Sequence, residues 1–419
     1  MKNQTNHTNQ VNQSAANSKP FNNTTVPRDW EVKKISEFGQ VFTGNTPPTN
    51  DISNYGDKYL FVSPFDLKED KYITDTEKKL SQKGFETSRR FPKGSVLFTC
   101  IGSTIGKSGI ATKELTSNQQ INAIILNDNN SNEFLYYQLE KSANKIRMLA
   151  GEQAVPIINK SQFEAVKIPL PPLREQRAIA ALLSTWDEAI VKNNQLIAQK
   201  ELRKKWLMQN LLAGKKRLKG FTGEWEETHI KYVAKEVSIK NKADKQLPVL
   251  SCTKYDGLVP SLEYFGRKVF ADDISTYKIV PKNYFAYATN HIEEGSLGHQ
   301  DLFDEAVISP MYTVFKTERT INNKFFYKLL KSHRLIYQYN TRMEGSIDRR
   351  GGLRWDAFSI IKIYLPSLEE QTAIAAVLQA ADKEIQLLKT KTEKLREQKK
   401  GLMQLLLTGK KRLRIETEI

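Results

Sequence analysis

Two stretches of the chain carry apolar residues at alternating spacings of four and three. In the second, Ile374, Leu378, Ala381, Ile385 and Leu388 are followed on the same frame by Leu395, Leu402 and Leu406. In the first, Ile179, Leu183, Trp186, Ile190, Ile197, Leu207 and Leu211 occupy the equivalent frame. This is the pattern of a coiled-coil seam. Polar residues interrupt it at Asn193, Lys200 and Lys204 in the first stretch and at Thr392 and Lys399 in the second. Such residues either fix the register of a seam at a cost in stability or mark where it turns to solvent, and the pattern leaves both readings open. Pro171-Pro172 and Pro366 precede the two stretches, and Gly214 and Gly409 follow them. These are start and stop signals for helices of about 40 residues, roughly 60 Å long.

The rest of the chain has a different texture. Short β-like runs occur at residues 95–101 (SVLFTCI), 120–126 (QINAIIL) and 165–170 (AVKIPL). A second set lies at 283–289 (NYFAYAT), 311–315 (MYTVF) and 360–365 (IIKIYL). Amphipathic helices are expected over Glu133 to Leu149 and Asn323 to Tyr339. Residues 1–26 are rich in Asn, Gln, Ser and Thr with almost no apolar content, so a disordered polar tail is expected.

The two helical stretches are copies of one another. Residues 170–218 open with LPPLREQRAIA and close with LMQNLLAGKKRL, and residues 365–413 open with LPSLEEQTAIA and close with LMQLLLTGKKRL. The offset is 195 throughout, without a gap, and it also relates Trp30-Glu31 to Trp225-Glu226 and Phe163 to Phe358. The repeat unit is therefore half of the chain, too large for a solenoid. The centres of the copies diverge, either because each reads something different or because surface loops have drifted. The predicted fold is mixed α/β: a tail (1–26), a globular part (27–169), a helix (170–220), a second globular part (221–364) and a second helix (365–419). If the helices pair antiparallel, the globular parts are related by a pseudo-twofold axis and the helices act as a spacer. A parallel pairing, with a globular part supplying the return connection, stays open.

Charge narrows the function. The 419 residues carry 64 Lys and Arg against 47 Asp and Glu, a net +17 that suggests an anionic partner such as nucleic acid. The globular parts are nearly balanced, and most of the excess lies in the helices and their ends, GKKRLK and GKKRLR. Lysines there suit phosphate contact, which gives affinity without reading sequence; a solvated coiled-coil face or an acidic protein partner is the competing reading. The two cysteines, Cys100 and Cys252, make neither a disulfide framework nor a four-cysteine zinc site and fit a reducing cytoplasm. There is no apolar run long enough for a membrane span and no secretory h-region.

Catalytic motifs fail on spacing. Gly102-Ser103-Thr104-Ile105-Gly106-Lys107-Ser108 is one residue short of a P-loop and reads better as a turn between strands. Thr46-Pro47-Pro48-Thr49 is a proline turn, not an aminomethyltransferase motif. The histidines His7, His229, His291, His299 and His333 form no zinc-protease or deaminase pattern. His291, Glu293, Glu294 and His299 have metal-ligating chemistry, but a polar loop is the preferred reading, and no metal site is assigned. Candidate DNA contacts are Arg89, Arg90, Gln119, Gln120 and Asn122 in the first globular part. In the second they are Arg342, Arg349, Arg350, Arg354 and Trp355, and at the helix ends Lys215, Lys216, Lys410 and Lys411. Arg reads guanine, and Asn or Gln reads adenine, through paired hydrogen bonds.

The two helix openings, LPPLREQRAIA and LPSLEEQTAIA, together with the closings LMQxLLxGKKRL and the domain openings WEVKKI (30–35) and WEETHI (225–230), resemble the DNA-specificity subunits of type I restriction–modification enzymes. The resemblance spans nearly the whole chain after the tail. It implies two target-recognition domains, each reading half of a bipartite double-stranded DNA site, joined by an antiparallel coiled coil that sets the gap. It also implies two methyltransferase subunits that bind S-adenosylmethionine, and restriction subunits that use ATP and Mg²⁺; this chain would hold no cofactor and catalyse nothing. The divergent centres add the expectation that the two half-sites differ. The alternatives are a self-sufficient nuclease and a coiled-coil scaffold without a DNA role.

Overall fold

A computed structural model describes residues 18–21, 24–152, 154–242, 245–344 and 352–414. The chain forms two compact units, residues 1–195 with 390–419, and residues 196–389. Both divisions fall inside the long helices, whereas the change from globular to helical sequence comes earlier, near residues 170 and 365.

In the first unit, Glu31–Lys34 pairs antiparallel with Lys167–Leu170, so the globular part closes beside its own beginning. Between them lie two five-stranded sheets. One has the order Gly39–Thr43, Ile121–Leu126, Val96–Thr99, Ser108–Ala111 and Tyr72–Ile73. In the other, Leu115–Ser117 runs parallel to Tyr59–Val62 and antiparallel to Arg90–Phe91. Val96–Thr99 is buried on both faces, which is why Val96-Leu97-Phe98 is continuously apolar rather than alternating. The helix Asn132–Arg147 starts where the Ser131 side chain accepts from the Phe134 N–H, an N-cap. Phe134, Leu135, Tyr137 and Leu139 sit in one core with Val96 and Phe98. Ile179 and Leu183 of the first long helix and Met403 and Leu406 of the second complete that core.

The second unit repeats this construction. Glu226–His229 pairs antiparallel with Lys362–Leu365. One sheet has the order Ala234–Val237, Tyr312–Thr317, Phe285–Ala288, Leu297–His299. In the other, Glu305–Ile308 runs parallel to Val249–Thr253 and antiparallel to Lys278–Pro281. These strands pair in the same order and sense as eight strands of the first unit, where Tyr55–Gly56 and Tyr72–Ile73 are additional, so the topology largely repeats through the centre where the sequences diverge.

Three local expectations are corrected. The tail is not disordered throughout: Ser18–Phe21 and Thr24–Pro27 form an antiparallel hairpin. Pairing satisfies its backbone groups, and Val26 is buried. The rest of the tail, 1–17 with 22 and 23, lies outside the described residues. The helix after the first sheets ends at Arg147 and tightens into a 3₁₀ turn, Met148–Ala150. The helix expected over Asn323 to Tyr339 is two helices, Asn323–Leu330 and His333–Glu344. The break frees the Leu330 carbonyl, which accepts from the Tyr339 hydroxyl at 2.9 Å inside the core.

The long helices span Leu173–Leu211 and Leu368–Leu406. Their polar seam residues pair across the seam rather than facing solvent. In the first unit Asn193 Nδ2 donates to Thr392 Oγ1 at 2.6 Å, with both residues buried. Lys399 reaches Asp187 at 2.8 Å and Glu140 at 3.2 Å. In the second unit Lys204 meets Asp382 at 2.5 Å, Lys200 meets Glu384, and Lys389 meets Glu201 at 2.7 Å. Within each unit later residues of one helix meet earlier residues of the other, so the paired segments run antiparallel. Burying polar groups at fixed partners penalises any shifted register. Among the described residues no helix is long and apolar enough to cross a membrane.

Candidate nucleic-acid interface

The most repeated residues build a clasp rather than a reactive site. Arg217 donates from Nε and Nη2 to the two carboxylate oxygens of Glu370, both at 2.6 Å. Arg412 makes the same fork to Glu175, again at 2.6 Å, and a second one to Asp29 at 3.0 Å. That pairing holds Asp29 below the ordinary carboxylate range. The glutamate side chains are only 2% and 4% exposed, so the bidentate geometry compensates their desolvation. Trp30 Nε1 also donates to Glu175 at 3.2 Å, whereas the equivalent Trp225 Nε1 is buried without a hydrogen-bond partner. Next to each glutamate a glutamine bridges elements. Gln176 accepts from the Ser131 N–H and donates to the Pro171 carbonyl, as Gln371 does with Asn322 and Pro366. Gly214 and Gly409 take positive φ, and the N–H groups of Lys216 and Lys411 bond back to Asn210 and Leu405, which stops each helix.

In the first unit the loop after Gly39–Thr43 gathers candidates that are far apart in sequence. The Arg89 N–H donates to Asn45 Oδ1 at 2.6 Å, its guanidinium donates to the Thr43 carbonyl and lies 5.8 Å from the Phe42 ring centre. Gln119 Oε1 accepts from Thr46 Oγ1 at 2.6 Å. Arg89 and Gln119 are both exposed, so two side chains able to read base edges share one platform. Arg90 is exposed over Phe85, and half-buried Gln120 sits against Gly102. Asn45 and Thr46 were missed by sequence reasoning; Gly44-Asn45-Thr46-Pro47-Pro48 announces a turn, but nothing local says that the turn carries Arg89 and Gln119.

Asn122 is a correction. It is 2% exposed and points into the core, where it accepts from Thr43 Oγ1 at 2.7 Å and donates to Cys100 Sγ at 3.2 Å. The strand Ile121–Leu126 lies between two neighbouring strands and is buried on both faces over residues 121–124, so Asn122 is buried whichever way it points. Gly102 to Ser108 is a turn between strands, with Gly102 and Gly106 at positive φ and Lys107 Nζ donating to the Pro64 carbonyl.

The second unit places the counterpart turn at residues 289–296. The Leu353 N–H donates to the Thr289 carbonyl at 2.8 Å, as the Ile158 N–H does to Cys100 at 2.9 Å in the first unit. Exposed Arg354 therefore emerges beside this turn, at the N-cap of Trp355–Ser359. Trp355 is half-buried, its ring packed 5.5 Å from Phe315 and 5.7 Å from Phe358. Arg342 is exposed on its helix, and its bonds run to Gln338 one turn back. Arg349 and Arg350 lie outside the described residues. His291, Glu293 and Glu294 come together on the same turn, while His299 is apart, its side chain buried against Phe285 and its pKa depressed by that burial.

Lys215, Lys216, Lys410 and Lys411 are exposed at the helix ends. The arginine after each lysine pair belongs to the clasp, so the lysines, not the arginines, are the available cations there.

Comparisons with known proteins agree with this construction. The sequence model of the type I restriction modification DNA specificity domain matches residues 27–201 and 215–397. The MjaVIII type I restriction enzyme specificity subunit of Methanocaldococcus jannaschii is 27% identical over 95% of this chain and 96% of its own length. The HindI specificity subunit of Haemophilus influenzae is 31% identical over 45% of this chain and 42% of its own. Among solved structures, the S subunit of a type I system from M. genitalium superposes with a TM-score of 0.56 at 17% identity, over 93% of this chain and 97% of that one. The HsdS subunit from Thermoanaerobacter tengcongensis gives 0.52, also at 17% identity, over 93% and 99%.

Proposed function

The chain belongs to the type I restriction–modification DNA-specificity family, and from that premise we propose that its two units read the two different halves of a bipartite double-stranded DNA target. The observation that carries this reading is the repetition of an eight-strand topology beneath edge loops of unlike chemistry. In the first unit the loop edge offers Arg89 and Gln119; in the second the turn at 289–296, the counterpart of the Gly102 turn, offers Asn290, His291 and the adjacent Arg354. The target-recognition domains correspond to residues 27–169 and 221–364. The helices at 170–220 and 365–419 act as an antiparallel coiled-coil spacer. Their polar pairs support this role, because a spacer sets a fixed gap only if its register cannot slip.

Specificity rests on base-edge contacts from Arg89, Arg90, Gln119, Gln120, Arg342, Arg349, Arg350 and Arg354. Phosphate contacts from Lys215, Lys216, Lys410 and Lys411 supply position and affinity. The subunit works in the cytoplasm with two methyltransferase subunits and with restriction subunits. Those partners hold S-adenosylmethionine, ATP and Mg²⁺ and carry out the chemistry. Mapping methylated adenines in a host expressing this chain with its neighbouring methyltransferase gene tests the proposal. The expected motif is two unlike half-sites separated by unspecified bases, and a continuous or palindromic motif would refute it.

A further inference from the structure

The two units differ most between one pair of equivalent strands. The first unit has residues 63–77 between Tyr59–Val62 and Lys78–Leu80, where the second has only the turn 254–256 between Val249–Thr253 and Gly257–Pro260. The longer segment is well anchored. Asp66 accepts from the Ser63 and Glu77 N–H groups at 2.8 and 2.7 Å and closes its base. Leu67 and Ile73 are buried in one core with Leu60, Val62 and Leu97 of the sheets. Tyr72–Ile73 adds an edge strand parallel to Ser108–Ala111, and the Ile110 N–H donates to the Lys71 carbonyl at 2.7 Å.

Between these anchors the segment reaches the helices. Lys71 Nζ donates to Ser184 Oγ of the first long helix at 2.5 Å and to the Tyr137 hydroxyl at 3.1 Å, and lies 3.8 Å from Glu133. Its side chain is 6% exposed, and a lysine gives up its water at such a site only where its ammonium protons find other acceptors. The Tyr72 hydroxyl donates to Glu133, and Glu69 pairs with Arg396 of the second long helix at 3.0 Å. The repeated frame does not require this arrangement. Tyr137 and Lys328 each stand six residues past their helix N-caps, Ser131 and Asn322. In the second unit Lys328 is itself the cation, 2.7 Å from Asp382. Among the described residues the turn 254–256 makes no hydrogen bond or ion pair to a long helix; its Lys254 carbonyl accepts from Lys331.

Apolar burial holds the sheets to the helices without a preferred direction, whereas hydrogen bonds from one buried ammonium to two helices fix an angle. The sheet with Tyr72–Ile73 at one edge has Gly39–Thr43 at the other, and the loop after Gly39–Thr43 carries the Arg89 and Gln119 platform. Four strand spacings separate the two edges, roughly 19 Å. A tilt of about 10° at the Lys71 edge therefore moves the platform by roughly 3 Å, about one base-pair step along DNA.

We propose that residues 66–73 are a brace, with Lys71 as its positioning residue, that fixes the angle of the first target-recognition domain on its helices and so holds the gap of the DNA target to one length. The inference rests on the specificity-subunit reading and adds an asymmetry to it: the first domain is braced from its own sheet edge, and the second is not.

The test is methylation mapping, with competition binding to duplexes that keep both half-sites and lengthen or shorten the gap by one base pair. Lys71→Met with Tyr72→Phe removes the ammonium and the hydroxyl and keeps both apolar bodies. Ser184→Ala is the milder variant that keeps the test open if that pair does not fold. Relative to the original gap, the pair should accept one altered gap about tenfold better than the unaltered chain does, the effect of one charge-assisted hydrogen bond. The bases read in each half-site should not change, and Ser184→Ala should shift the gap preference the same way by less. Asn122→Ala, which weakens the same unit away from the brace, should leave the gap preference alone. A preference unmoved in both brace variants, or moved equally by Asn122→Ala, would overturn the proposal, as would relaxed base choice at an unchanged gap. A motif without a gap in the unaltered chain would instead refute the bipartite reading itself, before any variant is compared.

Discussion

Replacing Lys399 with methionine removes one cation from between two carboxylates. Lys399 Nζ lies 2.8 Å from Asp187 and 3.2 Å from Glu140, and its side chain is 11% exposed. At an effective dielectric of about 20, each attraction at such distances is roughly 5–6 kcal/mol before desolvation. Dehydration of the three groups cancels part of this, and removing one member of a buried pair typically costs about 3 kcal/mol. Methionine keeps most of the apolar stem, so packing losses are small. The first unit should melt roughly 6–12 °C lower at neutral pH. The repeat supplies a control. Lys204 is the equivalent residue, but its partner Asp382 is also held by Lys328 at 2.7 Å, and the Lys204 and Asp382 side chains are 30% and 33% exposed. Lys204→Met should therefore cost about 1 kcal/mol or less.

The cost at Lys399 should also depend on pH. Burial raises the Glu140 carboxyl above its ordinary range, and Lys399 opposes that rise. Without the lysine the folded-state pKa climbs further. A carboxylate raised on folding destabilises the protein above its folded pKa and ceases to do so once pH falls below the unfolded value. The difference between variant and unaltered protein should be full near pH 8 and shrink toward about pH 4.5. Differential scanning calorimetry across that range measures it. An equal cost at both ends, or a Lys204→Met variant as unstable as Lys399→Met, would refute the reasoning.

Further outcomes follow from the assigned positions. Asn122→Ala should cost about 1–2 kcal/mol in urea denaturation and leave the methylated motif unchanged, since its partners are Thr43 and Cys100. Arg89→Ala or Gln119→Ala should relax one half-site only, with a loss of about 1–3 kcal/mol per base pair read, seen in methylation mapping and competition binding. Replacing Lys215 and Lys216, or Lys410 and Lys411, with alanine should weaken DNA binding evenly across sequences and lower the salt slope by about one for each phosphate no longer neutralised. Lys141→Met should stabilise the first unit at pH 7. A lysine held near 8 on folding, against 10.5 for the free side chain, destabilises below the lower value and is neutral above the higher. The gain should therefore fade between those two values in a calorimetric pH series.

The helices, their ends and the two-part organisation were legible because they rest on local signals: apolar spacing, flanking prolines and terminal glycines. The break at Lys331-Ser332 was not, because residues 323–339 keep an apolar face throughout, and only the buried Tyr339–Leu330 bond rewards breaking the helix there. The hairpin at Ser18–Pro27 was hidden by a polar composition in which Val26 is buried among the described residues. Of the candidate DNA residues, the exposed arginines and Gln119 keep an available position, Trp355 is half-buried, and Asn122 is buried. A side chain's chemistry names a contact it can make, but burial is decided by strand position and by neighbours such as Phe315 and Phe358.

The pattern of identity within the repeat has a structural cause. Arg217 closes the first copy but clasps Glu370, which opens the second; Arg412 closes the second copy but clasps Glu175, which opens the first. Asp187 with Lys399, and Lys204 with Asp382, cross between copies in the same way. Each unit is thus assembled from the opening of one copy and the closing of the other. A change at an opening in one copy is met by a partner encoded in the other copy, never by its own copy's closing segment. Each opening must therefore stay compatible with the closing of the other copy, which constrains residues 170–218 and 365–413 together. Among the described residues the loops around Arg89, Gln119 and Thr289 bond within their own copy, so they are free to differ. Drift and distinct reading are then not rival explanations of the divergent centres: the clasp fixes the frame, and the unclasped edge is where a second DNA sequence can be read.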